Sequence, residues 1–360
     1  FAVLQDFCRE RGWTLNANGN TALESSSGWT RITFPAPFTA DQAVTALNNA
    51  DFEVEIRRNY ILETNRIPND THWTDGTAWA LRQIGAPYAW DTTVGSREIV
   101  VAVLDTGVDI SHPDLANNIW SNLGEIPNNG RDDDSNGFVD DTNGYDFVAK
   151  DASPIDESYA GHGTAVASII GAIGDNGRGI PGVAWEVQLM PVRVLGEDGK
   201  GTLFNISNGI RYASQNGADI IVAGFSGRYL ESAGLDAEPI QDFVNNGGLF
   251  IAAAGNQGSN NDLYPHFPAS YSYDGVISVT SSNQDDELTE TSNYGEVSVD
   301  LAAPGVAVDA LIPGETGYEP LGSLSGSSAS AALVAGSAVL LKAKHPALSG
   351  RAIEAHLIAT

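Results

Sequence analysis

Residues 99–107 read IVVAVLDTG, six apolar residues that run straight into Asp105-Thr106-Gly107. Unbroken hydrophobicity over a strand's length means burial on both faces, the habit of parallel strands covered by helices rather than of half-solvated antiparallel ones. Five further runs have the same character: VQLMPVRVL (187–195), DIIVAGF (219–225), LFIAAA (249–254), VISVT (276–280) and VDLAA (299–303). Helical segments rich in small residues separate them. From Glu98 onward the pattern therefore predicts an α/β fold, a doubly wound and mainly parallel sheet flanked by helices. Between the first two runs lies an acidic, Gly/Asn-rich insertion, Ala116 to Glu157.

Upstream the texture changes. Trp29 to Phe34 (WTRITF) alternates like a strand, Thr39 to Ala50 has helical periodicity behind a Thr/Asp start, and Phe52 to Leu62 is strand-like again. Residues 1–66 read as a small α+β domain and 67–360 as the large α/β domain, joined through the polar, Pro68-containing stretch Thr64 to Gly76, which has no sustained period.

The composition narrows the functional classes. The chain of 360 residues has 46 Asp+Glu against 18 Lys+Arg, a formal net charge of −28. Such a surface repels phosphate backbones and anionic headgroups, and no Lys/Arg-rich run relieves it, so nucleic-acid binding is not expected. No run of about 18 apolar residues supports a membrane span. Cys8 is the single cysteine, so no intramolecular disulfide framework exists. Opening at Phe1 without a signal pattern suggests a region excised from a longer precursor.

In an open parallel sheet, reactive groups gather at the carboxyl ends of the strands. Asp105 ends the first run, where it either caps the strand as an Asx turn or does chemistry. A DTG triplet also occurs in aspartic proteases, but those need two carboxylates sharing a proton, and this chain has no second D-T/S-G triplet. His162, in GHGT at the start of a helical segment, and His112, in HPDL, are the candidates to partner it. Ser328, in SGSSA before the apolar helix 330–344, is either an N-cap or a nucleophile favoured by the helix dipole and free backbone N–H groups. Asn256 ends LFIAAA, as a turn residue or as an amide donor to an oxyanion.

Taken together, the order Asp, His, Asn, Ser on a doubly wound sheet matches the chain order of the subtilisin triad. The chain resembles the subtilisin-like serine proteases in VAVLDTGVDISHPDL around Asp105, GHGTAVASIIGA around His162, AAAGN at Asn256 and SGSSASAALVAG around Ser328, with IGAPYAW (84–90), SNYG (292–295) and DLAAPGV (300–306) in support. The resemblance implies a secreted serine endopeptidase acting on peptide and protein substrates: Ser328 attacks, His162 transfers the proton, Asp105 orients the imidazole and Asn256 holds the oxyanion. It also implies that substrate adds as a strand along Ala223, Gly224, Phe225, Ser226 and Gly227, with a second edge near Gly199 to Thr202, Gly201 among them. The small domain resembles the family's propeptide, an intramolecular inhibitor whose tail enters the active site and is cut near Leu62 to Arg66; read without the resemblance, it is an unrelated interaction domain. Two departures stand out. Ala329, Ala332 and Leu333 replace the family's Met, Pro and His after the serine, and Gly224 and Ser226 exchange a usual Ser and Gly. They open a second reading, a pseudo-protease that binds peptides.

The acids suggest metal. In RDDDSNGFVDD (131–141), Asp132, Asp134 and Asn136 stand at alternate positions before Gly137, the opening of an EF-hand-like loop, with Phe138 supplying a carbonyl and Asp140 or Asp141 closing it in place of the usual Glu. Hard oxygen donors select Ca²⁺, against the plain alternative of a solvated acidic loop. The resemblance implies a second calcium site at Asp70, Asp114 and Asn176, completed by carbonyls near Arg178 and Ile180.

Overall fold

The computed structural model describes residues 2–11, 14–16, 31–33, 40–50, 66–228, 237–312 and 321–359. They belong to two compact units, Phe1–Thr64 and Asn65–Thr360. In the first, helices α1 (Ala2–Glu10) and α2 (Ala40–Asn48) accompany an antiparallel pair, β1 (Thr14–Asn16) with β2 (Arg31–Thr33). Cys8, Ala43 and Leu47 form its buried centre. Helix α1 is one that the periodicity does not single out. The strand expected over 52–62 and most of the expected cleavage segment lie outside the described residues.

The second unit opens with three short helices, Thr71–Thr74, Trp79–Gln83 and Ala86–Trp90, the first of them inside the stretch expected to be an aperiodic linker. Its sheet has seven strands: β3 (Gly95–Asp105), β4 (Tyr145–Asp146), β5 (Glu186–Arg193), β6 (Ile220–Ala223), β7 (Leu249–Ala253), β8 (Val276–Ser282) and β9 (Leu301–Pro304). They lie in the order β4-β5-β3-β6-β7-β8-β9, every neighbouring pair parallel. The six apolar runs supply six of these strands. The seventh, β4, is two residues at the sheet's edge, inside the acidic insertion.

Burial on both faces is realised residue by residue in β3. Val101 and Val103 join the core beneath helices α3 (His162–Gly171) and α6 (Ser327–Lys344), whereas Ala102 and Leu104 join the core beneath α4 (Leu203–Gln215) and α5 (Ala237–Asn245). Both cores are closely filled by aliphatic side chains, each fully buried Val or Leu contributing about 1.5–3 kcal/mol. Helix α6 is buried along most of its length, which explains why it is apolar on nearly all sides. It runs against β3, β7 and β8. A hairpin of β10 (Val308–Leu311) and β11 (Leu321–Leu324), then helix α7 (Gly350–Ile358), complete the unit.

The functional consequence is positional. Strands β3, β6 and β7 are adjacent and parallel, so their carboxyl ends bring Asp105, Gly224 and the turn at Gly255-Asn256 to one edge of the sheet. Helices α3 and α6 share the face above that edge and begin at His162 and Ser327.

Candidate active site

Asp105 is fully buried, and its Oδ1 lies 2.8 Å from His162 Nδ1. The same oxygen accepts the Thr106 N–H at 2.7 Å, while Oδ2 is buried with no hydrogen bond. A carboxylate so placed in low dielectric stabilises an imidazolium strongly, and it raises the His162 pKa above the ordinary 6.5 against the opposing effect of burial. His112 does not compete for this role, since its Nδ1 accepts the N–H of Asp114 at 3.1 Å.

Ser328 is the second residue of α6 and almost buried. Its hydroxyl donates to Gly224 O at 2.6 Å, so attack on a substrate requires a rotation toward the imidazole. In the first helical turn the Ser328 N–H has no intrahelical acceptor and is available to an incoming anion. Asn256 faces the same place. Its Oδ1 accepts both the N–H and the hydroxyl of Ser327, at 2.9 and 3.1 Å, which fixes the amide so that Nδ2 is the end left for a ligand. Gly326 permits this contact: its φ is +112°, and a Cβ there would stand 2.7 Å from Asn256 Nδ2.

These groups line one groove of about 460 Å³, which also includes Phe225, Ser226 and Gly199 and is rimmed by Tyr159, Glu197 and Asp198. Four of the expected catalytic residues, Asp105, His162, Asn256 and Ser328, therefore come together; Asp105 stands directly behind His162. Of the expected substrate segment, Gly224, Phe225 and Ser226 lie in the groove. Ala223, Gly227 and Gly201 have main-chain partners of their own. Ala223 is buried within the sheet, paired with Leu104 on one side and Ala252 on the other. Gly227 spends its N–H and C=O on Phe267 in an antiparallel bridge; of the expected second edge, Gly199 lines the groove and Gly201 bridges back to Leu195. Gly224 has a geometric reason to lack a side chain, because a Cβ would sit 2.6 Å from Asp105 Oδ2.

The acidic insertion gathers differently from the expected EF-hand order. Asp132 turns both oxygens onto the N–H groups of Asn136 and Gly137, and Asp140 turns its own onto those of Asn129 and Gly130. One carboxylate oxygen from each of Glu125, Asp134 and Asp141 lies within 4.8 Å of the other two. Glu125 stands outside the D-x-D-x-N run, so the spacing does not reveal it. Burial raises the pKa of Asp141, whose oxygens accept from Tyr212, Asn136 and Asn122. Asn136 points its amide nitrogen at Asp134 and Asp141, and the Phe138 ring packs edge-on against Tyr145, Phe147 and Tyr212. Three converging carboxylates fit a hard dication.

At the other expected calcium site, one loop touches both acids. Asp175 N–H donates to Asp70 Oδ2 at 2.7 Å, Asn176 Nδ2 to Asp114 Oδ1 at 2.5 Å, and Ile180 N–H to Asp114 Oδ2 at 3.2 Å. Arg178, on the same loop, donates its N–H to Asn176 Oδ1. Asp70 is wholly buried, its Oδ1 has no hydrogen-bond partner, and burial pushes its carboxyl up to about 6. A buried carboxylate oxygen without a donor fits a cation ligand.

A histidine backed by a buried carboxylate, a serine at a helix N-terminus and an oriented amide, all at the carboxyl edge of a parallel sheet, define a serine hydrolase of the α/β class. The sequence profile described as Subtilase family matches residues 96–360. The chain belongs to that family, the subtilisin-like serine proteases. It is 35% identical over 307 residues to the thermophilic serine proteinase of Bacillus sp. (strain AK1), covering 84% of this chain and 66% of that one. Thermitase of Thermoactinomyces vulgaris is 36% identical, with 76% and 85% covered, and halolysin of Haloferax mediterranei 32%, with 87% and 55% covered. The chain thus spans about two thirds of the first relative and just over half of halolysin. Among solved structures, a protease from Pseudoalteromonas arctica aligns with a TM-score of 0.66 at 30% identity, over 82% of this chain and 92% of that one.

Proposed function

We propose that the chain is a secreted serine endopeptidase, calcium-stabilised, with its inhibitory propeptide still attached as residues 1–66. The observation that carries this reading is the convergence of the Asp105–His162 pair, Ser328 and Asn256 on one groove. A peptide strand lies along Gly224 to Ser226, where main-chain pairing accepts many sequences. Ser328 Oγ rotates off Gly224 O, bonds to the scissile carbonyl carbon and passes its proton to His162 Nε2. The developing oxyanion accepts from Asn256 Nδ2 and the Ser328 N–H. As the C–N bond breaks, the Nε2 proton goes to the leaving amine; water, deprotonated by the same nitrogen, then releases the acyl group and restores the serine. Asp105 holds the imidazole and balances its transient charge.

Calcium held by Glu125, Asp134 and Asp141, and by Asp70 and Asp114, would supply positive charge to these clustered or buried acids; no chemical step uses it. The second reading, a peptide-binding pseudo-protease, has no support among the relatives, which are named as proteinases.

The test is hydrolysis of a chromogenic peptide by the wild-type chain and by Ser328→Ala. Turnover abolished in the variant is expected, and turnover surviving unchanged would reject the proposal. For the propeptide, mass and N-terminus are followed over time in calcium: cleavage near residue 65 is expected, and an intact chain that nevertheless hydrolyses peptide overturns that part.

A further inference from the structure

Helix α3 carries His162 as its first residue, yet its N-cap is Gly161, at φ +60°, which has no side chain with which to cap. The first N–H groups of a helix need acceptors, and here they are found outside the helix. His162 N–H reaches Ser158 Oγ at 3.4 Å, Gly163 N–H reaches Thr106 Oγ1 at 3.0 Å, and Thr164 N–H reaches Asp156 Oδ2 at 3.0 Å. The two hydroxyls in turn donate to Asp156 Oδ1, from Ser158 at 2.7 Å and from Thr106 at 3.0 Å. Thr164 Oγ1 adds a bond to Oδ2 at 2.8 Å and Ser158 N–H one to Oδ1 at 3.1 Å. All three helix donors thus end, directly or through one hydroxyl, on a single carboxylate. Thr106 is also the residue after Asp105, and its N–H donates to the catalytic carboxylate.

We propose that Asp156 is a positioning residue of the active site, a distant N-cap that locks the start of the histidine helix to the turn behind Asp105 and so fixes the imidazole against its carboxylate. The inference rests on the proposed endopeptidase reading and assigns a role that the four catalytic groups do not cover. A negative group at a helix N-terminus is favourable on its own account. Here it is also close enough to the imidazole to add to the rise in its proton affinity that Asp105 begins. The other charged groups toward the imidazole are on the groove rim: Glu197, and Asp198, which is paired with Lys200 at 2.8 Å, with the Tyr159 phenol beside them.

The experiment compares Asp156→Asn, which removes the charge and turns an amide nitrogen toward a helix donor, with Asp156→Glu, which keeps the charge but moves the oxygens. In the full chain, kcat should fall about 10- to 100-fold in both with KM nearly unchanged, the scale of a small misplacement of catalytic groups. The His162 titration, read by NMR of ¹³C-labelled histidine, should move to lower pH in Asp156→Asn and stay near wild type in Asp156→Glu. The NMR reading needs no turnover, so a wild-type chain that fails to hydrolyse peptide would sink the proposed function while leaving this inference testable. Unchanged kcat and unchanged His162 titration in a folded Asp156→Asn overturn it, as does a loss of activity that only tracks the fraction unfolded. If that variant does not fold, Ser158→Ala decides, because it removes the hydroxyl that links the His162 N–H to Asp156 while leaving the Thr164 contacts with Asp156 in place: a few-fold displacement of kcat supports the role, and wild-type kcat rejects it.

Discussion

Aspartate does opposite work in two regions of this molecule. At the sheet edge, Asp105 is single, buried, and faced by a group that becomes a cation when needed, so the protein carries both halves of the interaction. In the acidic insertion, Asp134, Asp141 and Glu125 face one another, and their remaining contacts are amides, a phenol and backbone N–H groups. One carboxylate is balanced from within; the other set calls for a charge from solution. The sites should therefore answer to different perturbations, catalysis to substitution of fixed groups and stability to the composition of the buffer.

The largest break falls on the edge. Ser328→Ala should lower kcat by about 10⁶-fold and Asn256→Ala by about 100- to 1,000-fold, magnitudes established for subtilisin itself, measured with a saturating peptide substrate. Gly224→Ala comes next. Its Cβ meets Asp105 Oδ2, so the carboxylate or the strand end must shift, and a displacement near 1 Å should cost up to about 100-fold in kcat with the melting temperature little changed.

The pH profile sharpens the contrast. The base must be neutral to accept the serine's proton, and its pKa is raised, so kcat/KM should fall as pH drops through a midpoint above 6.5. The same shift makes the folded state bind its proton more tightly than the unfolded chain. That contribution to stability is present at low pH and is lost as pH rises through the folded-state value. An acid limb centred below 6.5 would contradict the pairing.

The smallest effect on turnover, and the most specific to the insertion, is metal removal. A chelator should lower the melting temperature by several degrees, because a ligand bound to the folded state alone stabilises it by mass action. Glu125→Gln should reduce that chelator sensitivity while leaving the pH midpoint of kcat/KM in place. A melting temperature indifferent to chelator would erase the distinction between the two regions.

Legibility followed the same division. Strands such as IVVAVL and LFIAAA announce themselves because both faces are buried, and the candidate residues Asp105 and Asn256 sit at or just past their ends, with His162 and Ser328 in the first turns of two helices. Strand β4 is too short to carry a period. The bridges of Gly227 to Phe267 and of Gly201 to Leu195 are not legible in the sequence because a β-bridge depends on register, which composition does not encode. Glu125 and Asp156 share another reason. Glu125 stands outside the D-x-D-x-N run and Asp156 reaches back to Thr106, 50 residues earlier in the chain, so no motif spacing marks either one, and both read as ordinary members of an acidic stretch.

The catalytic edge is assembled from the ends of β3, β6 and β7 and the starts of α3 and α6, and Ser328 enters only with the last long helix. A chain still being synthesised presents Asp105 and His162 long before Ser328 joins them. The groove is therefore complete only once nearly the whole unit has emerged.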